Sequence, residues 1–419
     1  MLKVIPINDN ITLNYIPMEK LKTTSLGMYI HRPLKKEEAS KNAILPHILK
    51  RSSKLCENTM AVAKYRENLY GAKFSAGIAK RGDGQVLCFE GETISDKYAP
   101  FGEKLVAGLL KLMLSAVYDQ NDSFSEEIFN QERKNSITKI ENIINDKRVY
   151  ALYRCHEEMS KGDVFEIPRL GYVSDFETMT ATELYSYYKE MVVSSPVDIY
   201  VCGDTDINII EEEIKNAVEG LDFKKCQMPE SGILTHKGDV KNVTEKLDVT
   251  QGKLAVGFMT GIKPCDDDYY AMVVANAIFG GGAQSKLFNN VREKLSLAYY
   301  AGSMLDKYKG ILSVNAGIEF VNFEKAYDEI LVQLEEVKKG NISDLEINSS
   351  KGFIINSLKS NYDDQHAMIS FYMGQKATGA NLDIEECIER INGITKQDVA
   401  RVMEKVTLDT VYFLTGKEA

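Results

Sequence analysis

No stretch of this chain approaches the ~18 consecutive apolar residues that a membrane helix needs. The N-terminal MLKVIPINDNITLNYIP alternates apolar and polar residues and is broken by a proline and a turn, so it lacks the apolar core of a signal peptide. These absences point to a cytoplasmic protein that engages no membrane. There is no CxxC pair. The seven cysteines, Cys56, Cys88, Cys155, Cys202, Cys226, Cys265 and Cys387, are scattered and odd in number. That fits reduced thiols and argues against a thiolate metal site. No tract rich in Lys and Arg stands out, and 61 acidic residues against 51 basic ones give a net charge of −10. Nucleic-acid binding needs a basic footprint, so that class is excluded. No Ser/His/Asp or Cys/His set has a nucleophile's spacing. Cys155 and His156 are neighbours, which on a helix points them about 100° apart.

What is present is enough material for more than one core. A chain of 419 residues, 44% of them hydrophobic, implies two or three domains of roughly 100–200 residues each. The stretch DFKKCQMPESGILTHKGDVKN mixes Pro229, Gly232 and Gly238 with polar residues and divides the chain almost in half. The expected organisation is a domain at 1–222, a linker at 223–242 and a second domain at 243–419.

The two halves end alike. Thr180-Ala-Thr-Glu183 opens an apolar-periodic run and is followed by the strand-like VDIYVCGD. Thr395-Lys-Gln-Asp398 opens VARVMEKV and is followed by DTVYFLTGK. Each threonine begins a capping box, in which the hydroxyl caps the helix and the acid three residues on reaches back. The threonines lie 215 residues apart and the glycines that close the strands, Gly203 and Gly416, lie 213 apart. Offsets that agree to within two residues indicate an internal duplication. Strand candidates are ITLNYI, SLGMYIH, KLAVGFMTG and GILSVNAGI, while helical runs are expected at 98–120, 124–148, 323–339 and 343–361. Strands and helices that segregate in this way predict an α+β fold, with two homologous domains that each pack helices on a mainly antiparallel sheet.

One short segment invites a chemical comparison. His47-Ile-Leu-Lys50-Arg51 precedes a helical run expected from Ser52 to Tyr70. Its spacing matches H-x-x-E-H, the inverted zinc motif, in which two His one turn apart face the metal and the Glu acts as general base. Zinc needs lone pairs, and Lys and Arg arrive protonated. His47 alone has a lone pair to offer, so no metal is expected on this chain.

With Leu69-Tyr70-Gly71-Ala72-Lys73-Phe74-Ser75-Ala76 downstream, the region resembles the insulinase/pitrilysin-type zinc peptidases, the inverzincins, and in particular bacterial members of about this length. The resemblance implies a duplicated two-domain α+β chain. It also implies a third zinc ligand on a later helix, in a frame met here by Glu132-Arg-Lys-Asn-Ser-Ile-Thr-Lys139-Ile140. The ligand position is then Lys139. Two ligands and the base are replaced by Arg51, Lys139 and Lys50, and three like charges oppose binding a divalent cation.

The second half departs less. Phe279-Gly280-Gly281-Gly282-Ala-Gln-Ser-Lys-Leu-Phe288, followed by Val291-Arg292-Glu-Lys-Leu-Ser-Leu-Ala-Tyr299-Tyr300, resembles the family's second-domain signature, in which the three glycines are expected to form a Gly-rich turn. It lacks the GK[ST] ending of a phosphate loop. By resemblance, Arg292 and Tyr299 are the pair that reaches toward the zinc site, where an Arg anchors a carboxylate and a Tyr hydroxyl meets an oxyanion. The resemblance therefore implies a non-catalytic subunit without peptidase activity alone. Its partner would be a zinc-containing subunit of the same family, and its substrates peptides. The alternative is a peptide-binding or scaffold protein that pairs with itself.

Overall fold

The computed structural model describes residues 2–225, 228–235 and 238–417, so Cys226 lies outside the described residues. The chain forms two compact units, one of residues 1–141, 167–230 and 362–371, the other of 142–166, 231–361 and 372–419. The fold is α+β, with one sheet in each unit.

The first unit holds a six-stranded sheet of β1 (Lys3–Pro6), β2 (Ile11–Pro17), β3 (Thr23–Pro33), β4 (Lys73–Arg81), β5 (Gly84–Ile94) and β6 (Val197–Gly203). Their order is β1-β2-β6-β3-β5-β4. Alternate residues of the central strands share one face. Leu26, Met28 and Ile30 of β3, Leu87 and Phe89 of β5, and Ile199 and Val201 of β6 pack there against Ile44 and Ile48, Leu110 and Met113, and Leu184 and Met191. Those partners come from the helices Lys36–Leu49, Leu105–Tyr118 and Ala181–Ser194. Each such side chain contributes roughly 1.5–3 kcal/mol when fully buried.

The second unit holds β7 (Lys241–Leu247), β8 (Gly252–Met259), β9 (Ala298–Asp306), β10 (Ile311–Ile318) and β11 (Thr407–Gly416), in the order β7-β11-β8-β10-β9. This repeats β2-β6-β3-β5-β4 strand for strand. The pairs β2/β6 and β7/β11 are parallel and the others antiparallel. Both capping boxes form, with Glu183 N–H donating to Thr180 Oγ1 and Asp398 N–H to Thr395 Oγ1, each at 3.2 Å.

The chain passes between units at Glu230/Ser231, inside the stretch read as a linker, but two segments cross that boundary. The helix Lys147–Met159 belongs to the second unit, where Ala151, Cys155 and Met159 pack with Met259, Tyr412 and Leu414. Gly257 of β8 makes room for it, since a Cβ there would sit 2.2 Å from Met159 Sδ. The first turns of the helix Gln365–Thr378 belong to the first unit, where the Gln365 amide donates to the Thr23 carbonyl at 2.6 Å and accepts from Ser25 Oγ at 3.0 Å. Each of these helices follows a longer one, Glu126–Glu141 or Asp344–Ser360, at the same offset. The duplicated halves thus exchange equivalent segments.

Three expected helices are shorter than their patterns. The run at 52–70 is helical over Thr59–Asn68 only, because Asn58 caps it by accepting from Ala61 N–H at 2.9 Å. The run at 98–120 begins at Leu105, after Pro100 and after Gly102 at a φ of 77°. The run at 124–148 stops at Glu141, and Asp146 caps a new helix by accepting from Arg148 and Val149 N–H. Among the described residues no helix is long and apolar enough to cross a membrane.

Candidate functional site

His47 lies in the last turn of the helix Lys36–Leu49, Lys50 ends it, and Arg51 begins the turn that follows. The helix Glu126–Glu141 packs against this end and carries Lys139. The two helices bring together all four positions named at the degenerate zinc site. Lys139 Nζ lies 3.2 Å from His47 Nε2 and donates to it. Burial, then Lys139, then Lys50 push the His47 imidazole down to about 4, so it is neutral near pH 7 and its Nε2 lone pair is free to accept. The Lys50 ammonium is half-buried. Burial lowers its pKa, Glu132 opposes that, and Lys139, Arg51 and Arg66 add to the lowering.

Sequence reasoning placed Arg51 but not its partners. Arg51 Nη1 donates to Glu132 Oε1 and Gln131 Oε1, both at 2.9 Å, and its Nε donates to Thr59 Oγ1 at 3.2 Å. The other Glu132 oxygen accepts from Asn135 Nδ2 at 3.3 Å. The spacing held the signal, because Glu132 stands two helical turns before Lys139 and so shares its face. This donor set does not fit zinc. One imidazole lone pair is already engaged by an ammonium, the second position is a guanidinium bound to a carboxylate, and the third is the ammonium itself. Among the described residues no three His, Cys, Asp or Glu side chains group to hold a metal ion.

The second segment is built on two π-helical stretches, Ala277–Gly281 and Leu287–Lys294, a rare geometry frequent at functional sites. None of Gly280, Gly281 and Gly282 has a positive φ. Gly280 is required by close approach instead, since a Cβ there would lie 2.6 Å from the Ser303 backbone nitrogen of β9. Lys286 is buried and pairs with Glu346 at 2.9 Å, and Leu287 and Val291 fill the core, which leaves Arg292 outside. Ser296, at a φ of 49°, turns the chain into β9, the sheet's edge strand. Tyr299 there is 60% exposed and donates to Glu319 Oε1 at 3.4 Å. The Arg292 guanidinium lies over the Phe288 ring at 4.7 Å, and its Nε is 3.5 Å from Glu293. Tyr300 points the other way, and its ring carries the Arg148 guanidinium at 4.4 Å. Arg148 belongs to the exchanged segment, a contact no local pattern announces.

Comparison with known proteins identifies the chain's relatives. Residues 178–352 match the family model described as the peptidase M16 inactive domain. A probable inactive metalloprotease of Bacillus subtilis, YmfF, is 35% identical over 98% of this chain and 97% of its own length. An uncharacterized zinc protease of the same organism, YmxG, is 22% identical over 90% of each chain. The crystal structure of a conserved protein from Enterococcus faecalis superposes with a TM-score of 0.91 at 27% identity, covering 100% of this chain and 99% of that one.

Proposed function

The chain belongs to the M16 peptidase family as an inactive homologue, and from that premise we propose that it is the non-catalytic subunit of a two-chain zinc peptidase of the cytoplasm. Its partner, a family member with an intact H-x-x-E-H motif, holds the zinc and the general base. This chain lends Arg292 and Tyr299 to the partner's site. The observation that carries the reading is an asymmetry. The first unit's metal positions are filled by cations bonded to neighbours, whereas the second unit's Arg292 and Tyr299 face solvent. Arg292 has a guanidinium fork to anchor a peptide carboxylate or backbone carbonyl. Tyr299 has a hydroxyl to donate to the oxyanion that develops when water adds to a peptide bond. The substrates are peptides short or extended enough to enter a closed two-chain cavity.

The test is co-purification from native cells, followed by turnover of the complex. The captured partner should carry H-x-x-E-H and about one zinc per heterodimer. In that complex Arg292→Ala should lower kcat/KM by about 100-fold and Tyr299→Phe by about 10-fold, with assembly intact by size-exclusion chromatography. Unchanged turnover in both variants rejects the complementation. A chain that pairs with itself, with no zinc subunit captured, supports the peptide-binding homodimer instead.

A further inference from the structure

We propose that a cavity of the first unit, walled by the helices Leu105–Tyr118 and Ile207–Val218, binds a small organic cation with an apolar body. Its volume is about 660 Å³, the size of a small-molecule site. Leu55, Leu114, Ala217 and Leu221 give it an apolar lining. Tyr118 lines it too, and the buried Tyr118 hydroxyl has no hydrogen-bond partner among the described residues. A tyrosine in such a wall offers a cation both the face of its ring and an unspent oxygen.

The charge around the cavity selects the sign of the ligand. Both helices end at it, and the residues that follow them, Asp119 and Glu219, are on its lining. A helix C-terminus carries partial negative charge, which a basic residue in the last turn offsets. The helix Leu105–Tyr118 has no basic residue in its last turn, and Lys215 of the other helix is paired with Glu211 at 2.6 Å. On the lining itself, Asp119 pairs with Lys54 at 3.6 Å. Glu213 and Glu219 have no ion pair among the described residues, and Lys111 is the one lining cation without an acid partner among them. Two carboxylates and two helix ends outweigh one ammonium, so the cavity favours a cation. A bare metal ion does not fit, because no three His, Cys, Asp or Glu side chains group among the described residues and the lining is largely apolar. This inference concerns the first unit alone and needs neither the degenerate metal positions nor Arg292 and Tyr299.

The experiment uses the full chain by itself with probes of one shape and different charge: 2-phenylethylammonium, 2-phenylethanol and phenylacetate. Each is titrated at low salt and neutral pH and read by ligand-observed NMR. The ammonium should bind with a Kd on the order of 1 mM, about tenfold tighter than the alcohol, and phenylacetate should bind more weakly than the alcohol. Substituting both unpaired acids, Glu213→Gln with Glu219→Gln, should bring the ammonium and the alcohol to about equal affinity and leave the alcohol unchanged. Ala217→Phe, which fills the cavity from its helical wall, should weaken the ammonium by about tenfold or more. Three outcomes overturn the proposal: equal binding of ammonium and alcohol by the wild type, a preference that survives the double substitution, or tightest binding of phenylacetate. Circular dichroism melting of each variant separates a lost site from a lost fold, and the double substitution decides alone if Ala217→Phe does not fold.

Discussion

The end of the Lys36–Leu49 helix and the Arg292–Tyr299 segment are two charged places in a duplicated fold, and they differ in where their charges are spent. In the first unit Arg51 donates to three side chains and Lys139 to an imidazole. In the second, Arg292 has a loose contact with its neighbour Glu293 and a ring beneath it, and Tyr299 has one long hydrogen bond. Bonds within a unit stabilise that unit, while groups left toward solvent are available to a ligand or another chain. The Arg51 and Lys139 side chains are thus tied into the first unit, while Arg292 and Tyr299 keep donors toward solvent.

The strongest way to break that contrast is to remove Arg51. Its side chain is 21% exposed and that of Glu132 is 11% exposed. Arg51→Met leaves the carboxylate with Asn135 as its remaining partner, and a part-buried acid without its cation costs about 2 kcal/mol. Arg292→Met should stay within about 0.5 kcal/mol, as exposed substitutions do. Urea midpoints of the two variants make the comparison. Equal losses would mean that both arginines are structural and that the asymmetry is not real.

Histidine protonation sharpens the same contrast by a smaller amount. The ordinary histidine pKa is 6.5, and in the folded chain His47 is held near 4. Between those values the unfolded chain binds the proton and the folded chain does not, so stability falls as the pH drops from about 6.5 toward 4. Discounted for partial exposure, the contribution is about 1–2 kcal/mol. His47→Gln keeps an acceptor for Lys139 but cannot titrate. Denaturation at pH 7 and pH 4.5 should show the wild type losing more than the variant. Matching losses would mean that His47 is not held neutral by its neighbours.

Much of this was legible in the sequence wherever the cause is local. The capping boxes at Thr180 and Thr395, the four strand candidates and the helix ends near 338 and 360 follow from patterns within a few residues. The Lys139 position was readable because a helix holds its register, so a frame counted from Glu132 lands on the right face. What could not be read depends on distant packing. The helix Lys147–Met159 lies almost wholly beyond the run expected at 124–148, and Gly257, in another part of the chain, makes the room it needs against the second sheet. The pairing of Arg51 with Glu132 and Gln131 was hidden likewise, since it needs two helices brought side by side.

The smallest effect tests whether the halves differ only at their sites. Thr180 and Thr395 occupy equivalent places before β6 and β11, and each satisfies an N–H at its helix start. The returning acid differs: Glu183 Oε2 accepts from Thr180 N–H at 3.2 Å, while the shorter Asp398 Oδ2 accepts from Thr395 N–H at 2.9 Å. Asp398 is also tied to Arg401 at 3.2 Å, and its carboxyl is held below the usual range by Thr395 first and Arg401 after it. Replacing either threonine by alanine should cost about 1 kcal/mol. Asp398 keeps Arg401 as a partner after the cap is lost, so Thr395→Ala should fall at the lower end and Thr180→Ala at the upper. Paired urea titrations resolve the two midpoints. Near-equal losses would show that the duplicated scaffold is energetically symmetric at its caps. Divergence larger than the caps account for would mean that asymmetry has spread from the sites into the scaffold itself.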